Sequence, residues 1–392
     1  MPDTYDVAIV GAGIVGACCA FFSVRRGMSV IVLDRGGLVA GTTGSGEGNI
    51  LISDKRPGPE LDLALLSTRL WRELAAELSD EFGDFELEEK GGLVVAGADG
   101  DLAALLELAE GQSAAGVRHV AVDAAGLPDL EPYINRDLAG GVYYPGDLQV
   151  QPAGAVAAIL AAARTAGARL SLHEPVLGAD VDPDERVIRV ETPHQNIRAQ
   201  QVVNAAGPWA ANVPGLAGFT MPVSPRRGYI LVTEPVGELV RHKVYTANYV
   251  DQVASDDAGM RVATVVEGTP AGTILIGSTR DRVGFNRAIE LDALRSLASG
   301  AVRLFPVLRD VRVIRAYHGF RPFSPDHLPL IGADPTVPGL FHAHGHEGAG
   351  IGLAPATGHL IAELLAGDQP SVGLAPFDPA RFFAAEVSHA TA

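Results

Sequence analysis

The sequence predicts a two-domain protein of the α/β (α+β) class, in which a domain with a parallel sheet is interrupted by a second domain with a mostly antiparallel sheet. Three observations predict it. An apolar strand, a glycine-rich turn, a helix and a second strand follow one another within residues 7–34. Residues 223–284 alternate between apolar and polar positions, as antiparallel strands do. Another strand, glycine turn and helix follow at 341–365, so the first kind of structure returns after the second.

The composition supports a large core and excludes several classes of partner. Of the 392 residues, 47% are hydrophobic and 20% are charged, which suits two or three domains and excludes disorder as the main state. The formal net charge of −17 repels phosphate backbones and anionic lipid, so no nucleic-acid partner is expected. The two cysteines, Cys18 and Cys19, are adjacent, and neighbouring side chains of a helix diverge, so no disulfide bond between them is expected. A chain of this length without a spaced cysteine pair is typical of a cytoplasmic protein.

One uncharged run, residues 7–24, has the length of a membrane span and resembles the apolar part of a signal peptide. The residues before it are acidic rather than basic, and no small-residue cleavage pattern follows. The glycines within the run indicate a tight turn instead, so no membrane span is expected.

The turn after the first strand has the glycine pattern of a Rossmann-like dinucleotide site, Gly11-Ala12-Gly13-Ile14-Val15-Gly16. Gly11 permits the tight turn, Gly13 lets the backbone approach a pyrophosphate, and Gly16 lets the helix lie close to the strand. The helix predicted over 14–26 would direct its N-terminal N–H groups at the phosphates. Asp34, which ends the second strand, can accept hydrogen bonds from a ribose hydroxyl and disfavours the 2′-phosphate of NADP. The motif alone leaves NAD and FAD open.

The loop that follows is dense in glycine and predicts further ligand contacts. It contains the run Gly41-Thr42-Thr43-Gly44-Ser45-Gly46-Glu47-Gly48-Asn49, a composition unsuited to helix or strand. Such a loop beside a nucleotide site can surround a ligand with backbone donors, which a plain linker does not need. The cofactor residues predicted in this region are Arg35, Thr42, Thr43, Gly48 and Asn49.

The other elements follow from apolar periodicity. Helices are predicted at 60–78, 102–110, 151–167 and 288–305. Strands are predicted at 92–96, 141–144, 187–190 and 202–206. This order predicts that a nucleotide-binding domain comprises 1–80, 150–215 and 318–392, and that a substrate domain comprises 81–149 and 216–317.

The second strand, glycine turn and helix favour FAD over NAD. A helix N-terminus directed at the pyrimidine edge of a flavin would stabilise negative charge on the ring, while the first helix holds the pyrophosphate. The cofactor residues predicted here are Gly345, His346, Glu347, Gly348, Ala349, Gly350 and Ile351. The strand that ends near residue 204 runs into a small-residue turn that leaves space for a ligand and adds Ala205, Ala206, Gly207 and Trp209.

Three alternating histidines, His342, His344 and His346, would share one face of this last strand and could bind a metal ion. Glycines surround His346, and no HExxH motif or cysteine spacing accompanies the histidines. No metal site is therefore predicted, and a core or surface position is the alternative interpretation for His342 and His344.

Taken in order, these motifs resemble those of the D-amino-acid-oxidase family of FAD-dependent oxidoreductases, which includes glycine oxidase, sarcosine oxidase and the catalytic subunits of proline and hydroxyproline dehydrogenases. The resemblance spans nearly the whole chain. The segments that carry it are 11–16, Asp34, 41–49, 204–207, 320–332 and 345–355. The resemblance implies an FAD-binding domain, a substrate domain, and oxidation of an amine next to a carboxylate. It is specific for FAD and not for the substrate.

The resemblance also implies roles for single residues. Arg321 matches the arginine that holds the substrate carboxylate, where a bidentate guanidinium would fix the position of the α-carbon; a structural ion pair is the alternative. Tyr249, or Tyr245 if the register differs, matches an aromatic residue over the substrate; packing within a strand is the alternative. His346 would lie near the flavin. The remaining cofactor positions are Asn49, Ile50, Leu51 and Val176.

Three positions depart from the family pattern. Residues 316–319 contain no cysteine that could tether the flavin, so non-covalent FAD is expected. Gly348 stands where glycine oxidase has a second carboxylate-binding arginine, so the substrate is not expected to be simply glycine. His327 stands where the family usually has a glycine, and the sequence offers no reason for it.

The expected activity is dehydrogenation of the Cα–N bond of a small amino acid by hydride transfer to flavin N5, which gives an imino acid. The substrate would be a carboxylate-bearing amine, either a secondary amino acid such as proline, hydroxyproline or sarcosine, or a D-amino acid. The amino-acid sequence of residues 345–355 and 226–228 is similar to that of catalytic subunits that work with iron–sulfur partner subunits. Two alternatives stay open: a 2-hydroxy-acid oxidase or dehydrogenase, which requires a base such as His346 or His327, and a flavin subunit that only relays electrons.

Overall fold

The described part of the chain, in this computed structural model, comprises residues 4–182, 187–216, 219, 221–249 and 259–383. Its strands are β1 Tyr5–Val10, β2 Val30–Leu33, β3 Asn49–Ile50, β4 Gly92–Ala96, β5 Val120–Asp123, β6 Gly140–Tyr144, β7 Leu148–Gln149, β8 Arg169–Ser171, β9 Gly178–Asp182, β10 Val187–Glu191, β11 Asn196–Asn204, β12 Ser224–Thr233, β13 Lys243–Thr246, β14 Arg261–Gly268, β15 Ile274–Arg280, β16 Val313–Phe323, β17 Leu330–Ala333 and β18 Leu340–His344. Its helices are α1 Ile14–Arg25, α2 Pro59–Phe82, α3 Asp99–Ala114, α4 Leu127–Leu130, α5 Pro152–Thr165, α6 Leu291–Leu304 and α7 Gly350–Ala366.

The first sheet has the strand order β17-β18-β11-β1-β2-β8, and β10 and β9 extend it beside β11. Its centre is parallel, because β1 pairs in parallel with β2 and β11, and β11 pairs in parallel with β18. Strand β1 is apolar on both faces, as expected of a central strand that other elements cover on both sides. Val7 and Ile9 pack with the helices, whereas Ala8 packs in the cluster that contains Ile188 of β10.

Helices α1, α5 and α7 lie together against this sheet. A Cβ atom added to Gly358 of α7 would lie well under 3.0 Å from the backbone of Cys18, so the two helices approach closely only because this residue is glycine. Cys18 and Cys19 are fully buried in α1. The uncharged run at 7–24 is therefore a core strand and a core helix.

The second sheet has the order β16-β12-β15-β14-β13-β4-β6-β5 and is antiparallel except where β13 meets β4. Together with the first sheet it confirms the predicted fold class. The predicted domain boundary at residue 318 lies inside β16, which pairs with β12 as far as Phe323. The other domain boundaries stay a prediction.

Side chains of strand β12 explain why one helix begins later than the sequence predicts. Helix α6 begins at Leu291 rather than at residue 288. The carbonyl oxygen of Ala288 accepts hydrogen bonds from the Arg227 side chain at 2.8 Å and from the Tyr229 hydroxyl at 2.6 Å. These contacts from β12 hold the preceding segment outside the helix.

In the described residues one segment, Glu347–Ala366, is long and apolar enough to cross a membrane by length and composition, with a mean hydropathy of 1.3. The interior of the protein buries 67% of its apolar window. It includes α7, which packs against α1 and α2, and this is the burial expected of a core helix.

Candidate functional site

A cavity of about 390 Å³ lies where the carboxyl ends of β1, β2, β11 and β18 meet the second sheet. This is the position at which ligands bind in open α/β sheets. The predicted site residues that line it are Gly11, Gly13, Ile14, Val15, Asp34, Arg35, Thr42, Thr43, Gly48, Asn49, Val176, Ala205, Ala206, Gly207, Trp209, Tyr249, Arg321, His346, Glu347, Gly348, Gly350 and Ile351.

Five predicted residues lie just outside this lining. A Cβ atom on Gly16 would lie well under 3.0 Å from the carbonyl oxygen of Gly11, so Gly16 serves helix packing. Ile50 is 1% exposed, on β3. Gly345 has a φ of 81° and turns the chain after β18. Leu51 and Ala349 line a small second cavity that adjoins the first at Asn49, Tyr249 and Gly348.

The turn between β1 and α1 presents backbone donors to the cavity. Gly11 has a φ of 117°, a conformation that glycine adopts without strain. Gly13 is the N-cap of α1 and has no side chain to cap the helix, so the free peptide N–H groups of its first turn are available to an anion. Thr43 Oγ1 accepts a hydrogen bond from Ile14 N at 3.1 Å and so holds the glycine-rich loop on this turn.

The Asp34 carboxylate stabilises the same turn through hydrogen bonds. Its Oδ2 accepts a hydrogen bond from Ala12 N at 2.8 Å, and its Oδ1 accepts one from Gly36 N at 2.8 Å. Each carboxylate oxygen keeps further acceptor capacity, and the residue lines the cavity. Its predicted hydrogen bond to a ribose hydroxyl stays a prediction.

A second helix N-terminus opens onto the cavity from α7, which follows a short 3-10 helix at Glu347–Ala349 and has no side-chain cap. The hydrogen bonds of His346 assign its tautomer. Thr357 Oγ1 donates to the Leu353 carbonyl at 2.9 Å, so it accepts from His346 Nε2, which is also at 2.9 Å. Burial lowers the pKa of His346 to about 3, so the ring is neutral and a weak base.

The other two histidines of β18 form a hydrogen-bonded chain that ends at Asp334. His342 Nε2 lies 2.9 Å from Asp334 Oδ2, and His344 Nε2 lies 3.2 Å from His342 Nδ1. Burial and the neighbouring His342 and His346 hold the pKa of His344 well below its usual value. Among the residues that the structure describes, no group of three His, Cys, Asp or Glu side chains could hold a metal ion.

The residues of the cavity fit FAD. Uncapped N-termini of two helices converge on one cavity, which suits a pyrophosphate at α1 and a ring system at α7. His344 lines the cavity, and its Nδ1 is buried without a hydrogen-bond partner in the described part of the chain, so it is available to a ligand. Both cysteines lie buried in α1, so neither thiol is a tether at residues 316–319.

Arg321, on β16, reaches the cavity with its charge unpaired. Its Nη1 donates to the Thr279 carbonyl at 2.8 Å, and in the described residues no carboxylate oxygen lies within 4.0 Å of the guanidinium. Burial, and then the nearby Arg280, lower the pKa of Arg321 to about 10, so the group remains protonated at neutral pH. The alternative of a structural ion pair has no support in this part of the chain.

Tyr249 rather than Tyr245 is the tyrosine of the cavity. Tyr249 lines both cavities. Tyr245 is fully buried on β13, and its hydroxyl lies 2.5 Å from Ser53 Oγ, so it packs within the second sheet. The two rings lie 4.9 Å apart.

The structure supplies a reason for His327. Its φ is 60°, the left-handed region that favours glycine, which matches the glycine usual at this position in the family. The histidine is held there by its Nδ1, 2.9 Å from Glu347 Oε2. The other oxygen of Glu347 contacts Arg226. Burial opposes ionisation of Glu347, but His327 and Arg226 outweigh it and hold its pKa below the usual value.

Replacing Arg226 by methionine is expected to lower the free energy of unfolding by about 3–5 kcal/mol, because it leaves the Glu347 carboxylate buried without its main cation. Their side chains are 0% and 5% exposed. Chemical denaturation measures the change. The control is Arg69→Met, which breaks an ion pair with Glu73 whose side chains are 60% and 54% exposed and should leave stability unchanged. Equal effects of the two substitutions would contradict the argument.

Sequence reasoning missed three residues of this region. Arg226 and Arg280 lie on strands β12 and β15 and are almost fully buried, and Glu47 lines the cavity with its Oε1 unpartnered in the described residues. An arginine within an apolar strand run, as at 226 and 280, is the signal that could have identified two of them.

Comparison with known proteins finds relatives over most of the chain. The signature of the family described as DAO, FAD dependent oxidoreductase, matches residues 6–364. Glycine oxidase from Geobacillus kaustophilus is 29% identical over 385 residues, which cover 97% of this chain and 98% of that protein. Hydrogen cyanide synthase subunit HcnC from Pseudomonas aeruginosa is 31% identical over 426 residues, which cover 97% of each protein.

Solved structures share the fold. The crystal structure of glycine oxidase from Geobacillus kaustophilus matches with a TM-score of 0.87 at 28% identity, covering 96% of this chain and 98% of that one. L-proline dehydrogenase from P. horikoshii matches with a TM-score of 0.87 at 22% identity, covering 98% and 99% of the two chains.

Proposed function

Because the chain belongs to the DAO family of FAD-dependent oxidoreductases, we propose that it dehydrogenates the Cα–N bond of a small amino acid to give an imino acid. The predicted family and cofactor are confirmed, and the chain is an FAD-dependent enzyme of amino-acid oxidation. The proposed substrates are secondary amino acids such as proline, hydroxyproline or sarcosine, or D-amino acids. The observation that carries the proposal is the half-buried guanidinium of Arg321, which has no ion-pair partner among the described residues and lies in the cavity that two helix N-termini share.

Arg321 would bind the substrate carboxylate. A half-buried guanidinium without a carboxylate partner is partly desolvated at a cost in free energy, and a bidentate anion relieves that cost while fixing the orientation of the α-carbon. Tyr249 beside it offers a ring face against which the rest of the substrate can pack. When bound, FAD supplies the acceptor for the hydride that leaves the α-carbon.

The protonation states in the cavity favour an amine over an alcohol. Loss of a hydride from a neutral amine gives an iminium ion directly, so no protein base has to take a proton. A 2-hydroxy acid must lose its hydroxyl proton as well, which requires a base. Burial lowers the pKa of His346 to about 3 and holds that of His344 well below its usual value, so both are weak bases. His327, the other candidate base, is not among the described residues that line the cavity, and its Nδ1 lies 2.9 Å from Glu347 Oε2.

The test is anaerobic reduction of the FAD-loaded protein with a panel of substrates: glycine, sarcosine, proline, hydroxyproline, D-alanine, D-aspartate, iminodiacetate, lactate and glycolate. We expect one or more of the amines to bleach the flavin absorbance and the hydroxy acids to leave it unchanged. Bleaching by hydroxy acids alone would overturn the proposal. If dithionite bleaches the flavin and no compound of the panel does, the chain is an electron-relay subunit instead.

The same samples test the electron acceptor once air is admitted. The relative HcnC is named as a subunit of hydrogen cyanide synthase. On that ground we propose that this chain has a partner subunit and passes its electrons to it. Slow recolouring in air, accelerated by an artificial acceptor dye, is the expected result. Immediate recolouring by air alone would identify an oxidase.

A further inference from the structure

Arg280 is a buried cation that the proposed function leaves without a role. It is the last residue of β15 and is 2% exposed. Its Nε and Nη1 atoms are buried and have no hydrogen-bond partner in the described part of the chain. Its Cζ lies 4.8 Å from the ring centroid of Tyr249, which lines both cavities. Buried arginine donors without acceptors lower the stability of the free protein, and a bound ligand that supplies acceptors would remove that cost.

Arg280 is not among the described residues that line either cavity, but it adjoins Tyr249 and the position proposed for the substrate carboxylate. The residue before it, Thr279, provides the carbonyl that accepts the hydrogen bond from Arg321 at 2.8 Å. Arg280 is also close enough to contribute to the lowered pKa of Arg321. Two guanidinium groups therefore lie near Tyr249, and each makes the positive charge of the other less favourable in free energy.

The carboxylates of this region act on the two arginines without forming ion pairs with them. Burial and Arg280 lower the pKa of Arg321 more than Glu47 and Glu347 raise it. Against the opposing effect of burial, Arg280 in turn helps to lower the pKa of Glu347. Glu347 is engaged by Arg226 and His327. Glu47 accepts from Asn49 at 3.3 Å, and its other oxygen lies against the backbone of Gly277. Within the described residues, no carboxylate oxygen lies within 4.0 Å of Arg280. A substrate with one carboxylate on Arg321 would leave the Nε and Nη1 atoms of Arg280 without the hydrogen-bond acceptor that they lack in the described residues. A second carboxylate would supply that acceptor.

We propose that Arg280 binds a second acidic group of the substrate, so that the enzyme acts on a small amino acid with two carboxylates, one on Arg321 and one on Arg280. This inference rests on the proposed function and narrows its substrate class. Iminodiacetate and D-aspartate are probes of that chemistry. Each has a partner that lacks only the second carboxylate, sarcosine for the first and D-alanine for the second.

The experiment compares wild type, Arg280→Met and Arg280→Lys, each loaded with FAD, on both matched pairs of probes. We expect wild type to prefer the dicarboxylates. Arg280→Met should lower kcat/KM for them by roughly 10²-fold, mostly through KM, because each charge-assisted hydrogen bond contributes about 1.5–3 kcal/mol. For the monocarboxylates, the same variant should lower kcat/KM at least tenfold less than it does for the dicarboxylates. Arg280→Lys should retain part of the preference.

An equal loss on both classes in Arg280→Met, or a wild-type preference for monocarboxylates, would overturn the assignment. Flavin content and thermal midpoint verify that the variants fold. If neither these probes nor proline and hydroxyproline bleach the wild-type flavin, the proposed function fails. Ligand binding then tests the role of Arg280 independently of turnover. Malonate and acetate are titrated against the flavin spectrum: a tenfold or greater weakening in Arg280→Met for malonate alone supports the second site, and an unchanged malonate affinity refutes it.

Discussion

Replacing Arg321 by methionine is expected to lower kcat/KM for the amino-acid substrate by about 10²–10³-fold. Methionine keeps the length and apolar stem of the side chain but removes both donors of a bidentate contact, each worth about 1.5–3 kcal/mol when the partner is charged. We expect KM to rise and kcat to fall together, because the carboxylate also sets the orientation of the α-carbon. Stopped-flow reduction of the flavin under anaerobic conditions separates the two.

The matched control for Arg321 is Arg312→Met. Arg312 precedes the same strand, its side chain is 82% exposed, and it contacts Glu234 at the surface, so its loss should leave turnover unchanged. Arg321→Lys should lie between methionine and wild type, because a lysine supplies the charge without the planar fork. A fully active Arg321→Met protein would refute the carboxylate-binding role and would favour a relay subunit.

Replacing Gly16 by alanine is expected to abolish FAD retention and to destabilise the protein. The added Cβ would lie well under 3.0 Å from the carbonyl oxygen of Gly11, where no flexible side chain can give way. Helix α1 must then move away from β1, and its N-terminus leaves the cavity. Flavin absorbance of the purified protein and its denaturation midpoint measure the two effects.

The control for Gly16 is another glycine in the first turn of a helix. Gly100 lies in α3, and a Cβ atom added there meets nothing within 4 Å. Gly100→Ala should therefore retain FAD and gain about 0.5–1 kcal/mol of stability from the higher helix propensity of alanine. If both variants keep FAD equally, close packing of α1 on β1 does not position the nucleotide site.

Local patterns were enough to predict the nucleotide site. The turn 11–16, Asp34 and the glycine-rich loop lie close in sequence, and each constrains its own backbone, so spacing alone predicts a cavity edge there. The elements followed in the same way: α1 begins at Ile14, and β4 covers Gly92–Ala96 as predicted. Helix α6 differed because carbonyls before it are held by side chains from β12, which no local pattern contains.

The substrate side of the cavity could be predicted only in part. Arg321 was identified by resemblance, but whether its charge was paired depended on which strands surround it. Arg280 follows an alternating apolar run and could equally end a strand at the surface; its burial beside Tyr249 is a property of the assembled sheet. His327 was unexplained until its φ and its contact with Glu347 were seen together.

The sequence by itself determined that a glycine-rich turn, an acidic residue after the second strand and a second helix N-terminus are present, because each depends on backbone geometry set by neighbouring residues. Only the tertiary structure decided which charges are buried and unpaired. Arg280 and Arg321 are 41 positions apart on strands β15 and β16, and the cost of a buried charge depends on every group packed around it. Long-range packing sets that environment, so it cannot be read from spacing along the chain.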